Sequence, residues 1–181
     1  MRTLQLQIAM VATTVVLFLA ALAVNHWLFL RLEFAAGINW IYLPAGVRLL
    51  ATLLFAEAGA VGLLLVSWPV NFLLFFPDDP QRAFVGGIIA AVAPYGVYLV
   101  ARRAYGLQAS LANLTPGRLL VLAVAYAVAG PLLHHLYFAW RGQPDLVTGF
   151  IAMATGDLAG TLIVMYACKA VLHVVSPRPR Q

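Results

Sequence analysis

Gly37–Phe55 reads GINWIYLPAGVRLLATLLF, and the reading of this stretch decides the architecture. It opens on an aromatic cluster at Trp40 and Tyr42, crosses a Pro44-Ala45-Gly46 break, and runs on as an apolar helix carrying one arginine, Arg48. The surrounding composition assigns that helix to a membrane. The chain is 64% hydrophobic and 9% charged, where soluble domains average about 45–50% and about 25%. A charge inside a membrane span is costly and usually faces a partner or a cavity, so functional reasoning begins at Arg48.

The 181 residues allow six short helical spans and leave no room for a soluble kinase, cyclase or nucleotide-binding domain. Six spans form an all-α, polytopic transmembrane bundle, a single domain over residues 1–181. The net charge of +5 could suggest nucleic acid. Positive charge beside spans is what orients them in a bilayer, so the expected partner is the lipid bilayer and no nucleic acid. The one cysteine, Cys168, lies in an apolar helix and can form no internal disulfide.

Taken in order, the spans are expected at 8–30, 39–55, 60–76, 84–101, 119–140 and 146–174, with a short basic tail over 175–181. The first also resembles a signal peptide through Arg2 and Ala21-Leu22-Ala23, but its apolar run continues to Leu30, which favours a retained span. Ala56-Glu57-Ala58-Gly59 reads as a tight turn, because Glu57 would be costly in lipid. One long helix from Ile41 to Trp68 is the alternative. Trp68-Pro69 interrupts the third span, Pro77-Asp78-Asp79-Pro80 is the clearest loop, and Thr115-Pro116 is a good helix start.

With six spans both termini share a side. That side holds Arg2, Arg102, Arg103, Arg118, Lys169, Arg178 and Arg180, against Arg31, Arg82 and Arg141 on the other. The bias predicts cytoplasmic termini in a bacterial inner membrane, and a five-span count weakens it.

The second and sixth spans then run inward together. Arg48 and Asp157 fall about 14–17 Å below the outer surface by helical rise. Opposite charges at equal depth are more cheaply housed together, so the two are expected at the bundle centre as a ligand site, a switchable pair or a purely structural pair, with no pairing as the remaining alternative. Gly156 and Gly160 flank Asp157 with the small-xxx-small spacing that lets another helix approach closely. His26, Trp40, Tyr42, His134 and His135 gather at the outer ends, as an interfacial belt or as a mouth leading to Arg48. Adjacent helical residues point about 100° apart, which argues against one metal on His134 and His135. Arg102, Arg103 and Arg118 mark a loop that could face a partner. No H-E-x-x-H, G-x-S-x-G or P-loop is present, so no enzyme is expected, and the cofactor is left open.

These residues resemble the MASE1 family of bacterial membrane-associated sensor domains. The resemblance rests on Tyr42-Leu43-Pro44-Ala45-Gly46 for the family's W-x-P-A-G-like opening, then Leu53-Leu54-Phe55 with Gly59. It ends on Gly156-Asp157-Leu158-Ala159-Gly160 for its G-D-x-x-G motif. It covers about residues 38–165. Arg48 stands where the family has an apolar residue, and the family's usual kinase or cyclic-di-GMP domain is missing from these 181 residues. The resemblance implies sensing, with a signalling protein as partner. Size and layout are also similar to the substrate-capture subunits of energy-coupling-factor transporters, which implies vitamin or metal-ion uptake. An accessory subunit stabilising a larger membrane complex is the remaining expectation.

Overall fold

The computed structural model describes residues 2–108, 111 and 113–175. The tail residues 176–181, with Arg178 and Arg180, lie outside the described residues, as does Ser110. Among the described residues six α-helices follow one another: α1 (Arg2–Phe29), α2 (Leu43–Phe55), α3 (Glu57–Val70), α4 (Pro80–Tyr105), α5 (Pro116–Trp140) and α6 (Leu146–Val175). Five helical segments are long and apolar enough to cross a membrane, namely α1, α3 with its continuation to Phe75, α4, α5 and α6. Only α2 is short.

Side-chain bonds group the connections. Arg141, between α5 and α6, reaches Gln81 (2.7 Å) and Asp79 (3.4 Å), and Arg82 reaches the carbonyl of Ala36 (3.2 Å). The α1–α2, α3–α4 and α5–α6 connections therefore meet at one end of the bundle, and successive helices alternate in direction. In α4, half of the residues in its most apolar stretch are buried, against 11% in α1 and in α6, so α4 is central and those two are peripheral.

At 13 residues α2 is about 20 Å long, short of a hydrocarbon core of about 30 Å. The missing length is made up by chain that folds into the bundle end. Leu30–Leu32 forms a 3₁₀ turn, and Glu33–Ala35 (β1) pairs antiparallel with Ile38–Asn39 (β2). Gly37, at φ 76°, closes that hairpin in a conformation glycine adopts freely. Helix α2 starts at Leu43, four residues past the expected Asn39, because Ile38 and Asn39 are held in the hairpin and Pro44 suits a first helical turn. Its first amides are still satisfied: Tyr42 donates to the Gly156 carbonyl (3.0 Å) and Leu43 to the Asn25 side-chain oxygen (2.7 Å). Unpaired amides at this depth would each cost several kcal/mol.

The chain reverses between α2 and α3 at Ala56, whose φ of 49° and ψ of −120° are unusual for a residue with a side chain. The reversal is tight enough that a Cβ on Gly59 would collide with the Ala51 carbonyl. Glu57 is exposed beside the turn and accepts a hydrogen bond from the Tyr95 hydroxyl (3.1 Å), so no single helix runs from Ile41 to Trp68. Past Pro69, α3 widens into a π turn over Asn71–Phe75. The Asn71 amide there bonds the Ala83 carbonyl of α4 (3.1 Å).

Between helices in lipid, apolar burial gives little drive, and close approach of small residues supplies the contact. Gly62 of α3 lies against Thr14 of α1, and Gly46 of α2 against Thr161 and Val164 of α6. The central core gathers Leu49, Leu53, Ala93, Val97, Ala123 and Tyr126 from α2, α4 and α5.

Candidate functional site

Arg48 lies in the second turn of α2 and is 7% exposed. Its guanidinium carbon stands 5.3 Å from the Phe18 ring centroid and 5.2 Å from that of Tyr42. Both distances are within cation–π range. One terminal nitrogen donates to the Tyr42 hydroxyl at 3.4 Å, whereas Nε has no hydrogen-bond partner.

Asp157, on α6, is 2% exposed. Its Oδ2 faces Gly130 of α5, where a Cβ would stand 3.5 Å away. Arg48 and Asp157 are not in salt-bridge contact. Among the described residues the ion pair is Arg141 with Asp79, at 3.4 Å on the bundle end. Gly46 abuts Thr161 and Val164, which sets the Arg48 backbone about two turns deeper than Asp157, roughly 10 Å. The expected equal depth is lost because α2 starts inside the bundle. The arginine makes up part of the distance, since long helical side chains lean toward the helix N-terminus. Tyr42 and Tyr126 lie within electrostatic reach of both charges.

The close approach beside Asp157 is made by irregular chain. A Cβ on Gly156 would run into the Asn39 carbonyl, and one on Gly160 into the Tyr42 carbonyl. The glycine pair thus accommodates the strand that leads into α2, where a second helix was expected.

Two small cavities open beside this centre. One, of about 30 Å³, is lined by Tyr42, Arg48, Asn71, Arg82, His134 and Phe138 among others. The second, of about 50 Å³, is lined by Asn25, His26, Glu33, Asn39, Tyr42 and Phe75 together with Leu22. Tyr42 and Phe75 line both and form the partition between them. Each has room for a water or an ion of similar size.

The residues expected at the mouth divide. His26, Tyr42 and His134 line these cavities. Trp40 is exposed and meets Phe34 edge-on (6.0 Å). His134 and His135 each bond the carbonyl one turn back, Gly130 (2.9 Å) and Pro131 (2.8 Å), and then diverge. The Nε2 of His134 faces α4 near Gly86, and that of His135 faces Gly149 of α6. No group of three metal-ligating side chains occurs among the described residues.

At the opposite end Arg102 and Arg103 are exposed in the last turn of α4. Arg118 is engaged: it donates to the Asn113 carbonyl (2.9 Å) and lies over Tyr105 (5.2 Å).

Sequence reasoning missed Asn25, Asn71 and Arg82. Arg82 read as a loop residue, yet it lies in the first turn of α4 over Phe76 (4.2 Å) and Phe138 (4.8 Å), facing the Arg48 cavity. The legible signal was Asn25 and Asn71, uncharged polar residues inside apolar runs.

Fold and composition define a multi-pass helical membrane protein. No family model matches the chain, and no curated protein or solved structure matches it either.

Proposed function

We propose that this protein is a non-enzymatic membrane module that senses or binds a small ligand at the cavity headed by Arg48. The observation carrying this is a buried arginine with an unpartnered Nε that lines a small cavity, in a helix whose onset follows a hairpin folded into the bundle end. A purely structural arginine would be expected to have its donors used. Asp157 holds the far side of the same polar cluster and tunes the arginine through Tyr42 and Tyr126.

The MASE1-like motifs support the sensor reading. Tyr42-Leu43-Pro44-Ala45-Gly46 and Gly156-Asp157-Leu158-Ala159-Gly160 are remote in sequence but in contact: Gly160 abuts Tyr42 and Leu43, and Gly46 abuts Thr161 and Val164 just beyond. We assign the α1–α2, α3–α4 and α5–α6 connections to the outer face of a bacterial inner membrane, with both termini cytoplasmic. Arg102 and Arg103 would then face a cytoplasmic signalling partner. A cavity of about 30 Å³ favours this reading over capture of a vitamin.

Native mass spectrometry of protein gently extracted from its own membrane tests the proposal. A molecule retained by wild type and lost in Arg48→Leu supports it. A bare wild-type protein, or one travelling with stoichiometric subunits, moves the assignment to an accessory role. Cysteine labelling in a Cys168→Ala background tests orientation: Gln143→Cys should react from outside the cell and Asn113→Cys only after permeabilisation.

A further inference from the structure

The chemistry of the cavity lining specifies the charge of its occupant. Arg48 and Arg82 both line it, from α2 and α4, and the Nε of each is buried without a hydrogen-bond partner. No aspartate or glutamate lines it. The neighbouring carboxylates stay outside the lining: Asp79 accepts the Arg82 backbone N–H (3.0 Å) and meets Arg141 (3.4 Å), and Asp157, within electrostatic reach of Arg48, has its Oδ2 against Gly130. Each guanidinium brings an unpaired buried Nε to the lining of the same small space, and unpaired buried donors are costly. A single anion between them relieves both.

Other donors converge on the same space. The Tyr42 hydroxyl accepts from Arg48 (3.4 Å) and keeps its own hydrogen to give. The Asn71 amide uses one hydrogen on the Ala83 carbonyl (3.1 Å) and has a second. His134 adds no donor while neutral, because its Nδ1–H is given to the Gly130 carbonyl (2.9 Å) and its Nε2 is then an acceptor. Phe75, Phe76 and Phe138 complete the wall and keep the local dielectric low, which strengthens charge-assisted bonds.

Size narrows the class. About 30 Å³ is room for a small occupant, on the order of one or two waters, and favours a compact anion over a bulky organic one. We propose that the Arg48–Arg82 cavity binds one small monovalent anion of halide size. This deepens the ligand-binding reading above and rests on it.

The test uses the full chain in nanodiscs of zwitterionic lipid, which removes anionic headgroups. Thermal unfolding is followed as sodium bromide replaces sodium gluconate at constant ionic strength, with bromide NMR line width as the direct readout. Bromide and chloride should raise the melting temperature saturably, and excess bromide broadening should accompany the rise. Arg82→Gln, at the edge of the bundle, should stay folded and weaken bromide binding about tenfold or more, the equivalent of one charge-assisted bond. Arg48→Gln should do the same where it folds, and Arg82→Gln decides if it does not. Identical melting in bromide and gluconate with no excess broadening overturns the site, and so does an undiminished bromide response in Arg82→Gln. A wild-type protein that ignores halide yet retains an organic molecule in native mass spectrometry overturns the anion assignment alone. One that shows neither overturns the ligand-binding reading with it.

Discussion

Tyr42 donates its backbone N–H to the carbonyl of Gly156 at 3.0 Å, joining the residue before α2 to the middle of α6. Because Gly156 lies about 15 Å along α6, this one bond fixes how deep α2 begins. It thereby sets the level at which Arg48 enters the bundle. The glycine pair on α6 makes the approach possible, and Asn25 satisfies the next amide.

The approach has no slack, so Gly160→Ala should lower the melting temperature by the equivalent of about 1–3 kcal/mol of overpacking, and Gly160→Val by more. Gly96→Ala, with nothing within 4 Å of its Cβ position, should be neutral or stabilising by up to about 1 kcal/mol. Melting curves in detergent compare the three. Equal tolerance at Gly160 and Gly96 would contradict the packing described.

Asn25→Leu removes the acceptor for the buried Leu43 amide. The expected loss is about 1–3 kcal/mol, with faster hydrogen exchange at Leu43. Unchanged exchange there would show that this cap is dispensable.

Arg48→Leu leaves Asp157 buried without its electrostatic counterpart, and the expected cost is up to about 3–5 kcal/mol. Combining it with Asp157→Asn should recover part of the protein level, though less than for a contacting ion pair, since the two do not touch. Arg48→Lys should not restore wild-type stability, because the planar guanidinium lies between the Phe18 and Tyr42 rings. Additive single mutants in a double-mutant cycle would remove the coupling.

Ala56 adopts a backbone conformation suited to glycine. Ala56→Gly should therefore raise stability by about 1 kcal/mol. A lower melting temperature would place the cost of that turn elsewhere.

At the bundle end Asp79 both caps α4 through the Arg82 N–H (3.0 Å) and meets Arg141 (3.4 Å). Asp79→Asn keeps the cap and loses only an exposed ion pair, which costs under about 1 kcal/mol. Asp79→Ala loses both, for about 1 kcal/mol more. Salt titration separates them, since only the ion-pair part should fade at high ionic strength.

Much of the architecture was legible in composition and local pattern. Lipid obliges each span to satisfy its own backbone bonds, so long apolar runs such as α1 and α5 announce themselves without tertiary information. The break at Ala56–Gly59 was equally local, marked by Glu57 beside a glycine. The onset of α2 was not legible, because Trp40 and Ile41 are apolar enough for a helix and nothing nearby shows that Asn39 pairs with Glu33. Helical rise gave Arg48 and Asp157 the same depth only while both helices were assumed to start at the same surface.

The sequence by itself determined that this is a helical membrane protein with a charge buried in its second helix, since hydropathy and the cost of an intramembrane charge are properties of short stretches. Tertiary structure decided what that charge faces. Arg48 shares the lining of a small cavity with Arg82 and makes no salt bridge to Asp157, because the depth of α2 is set by carbonyl and amide contacts between Asn39–Leu43, Asn25 and Gly156–Gly160. Those contacts join residues far apart in the chain, and no local pattern carries them.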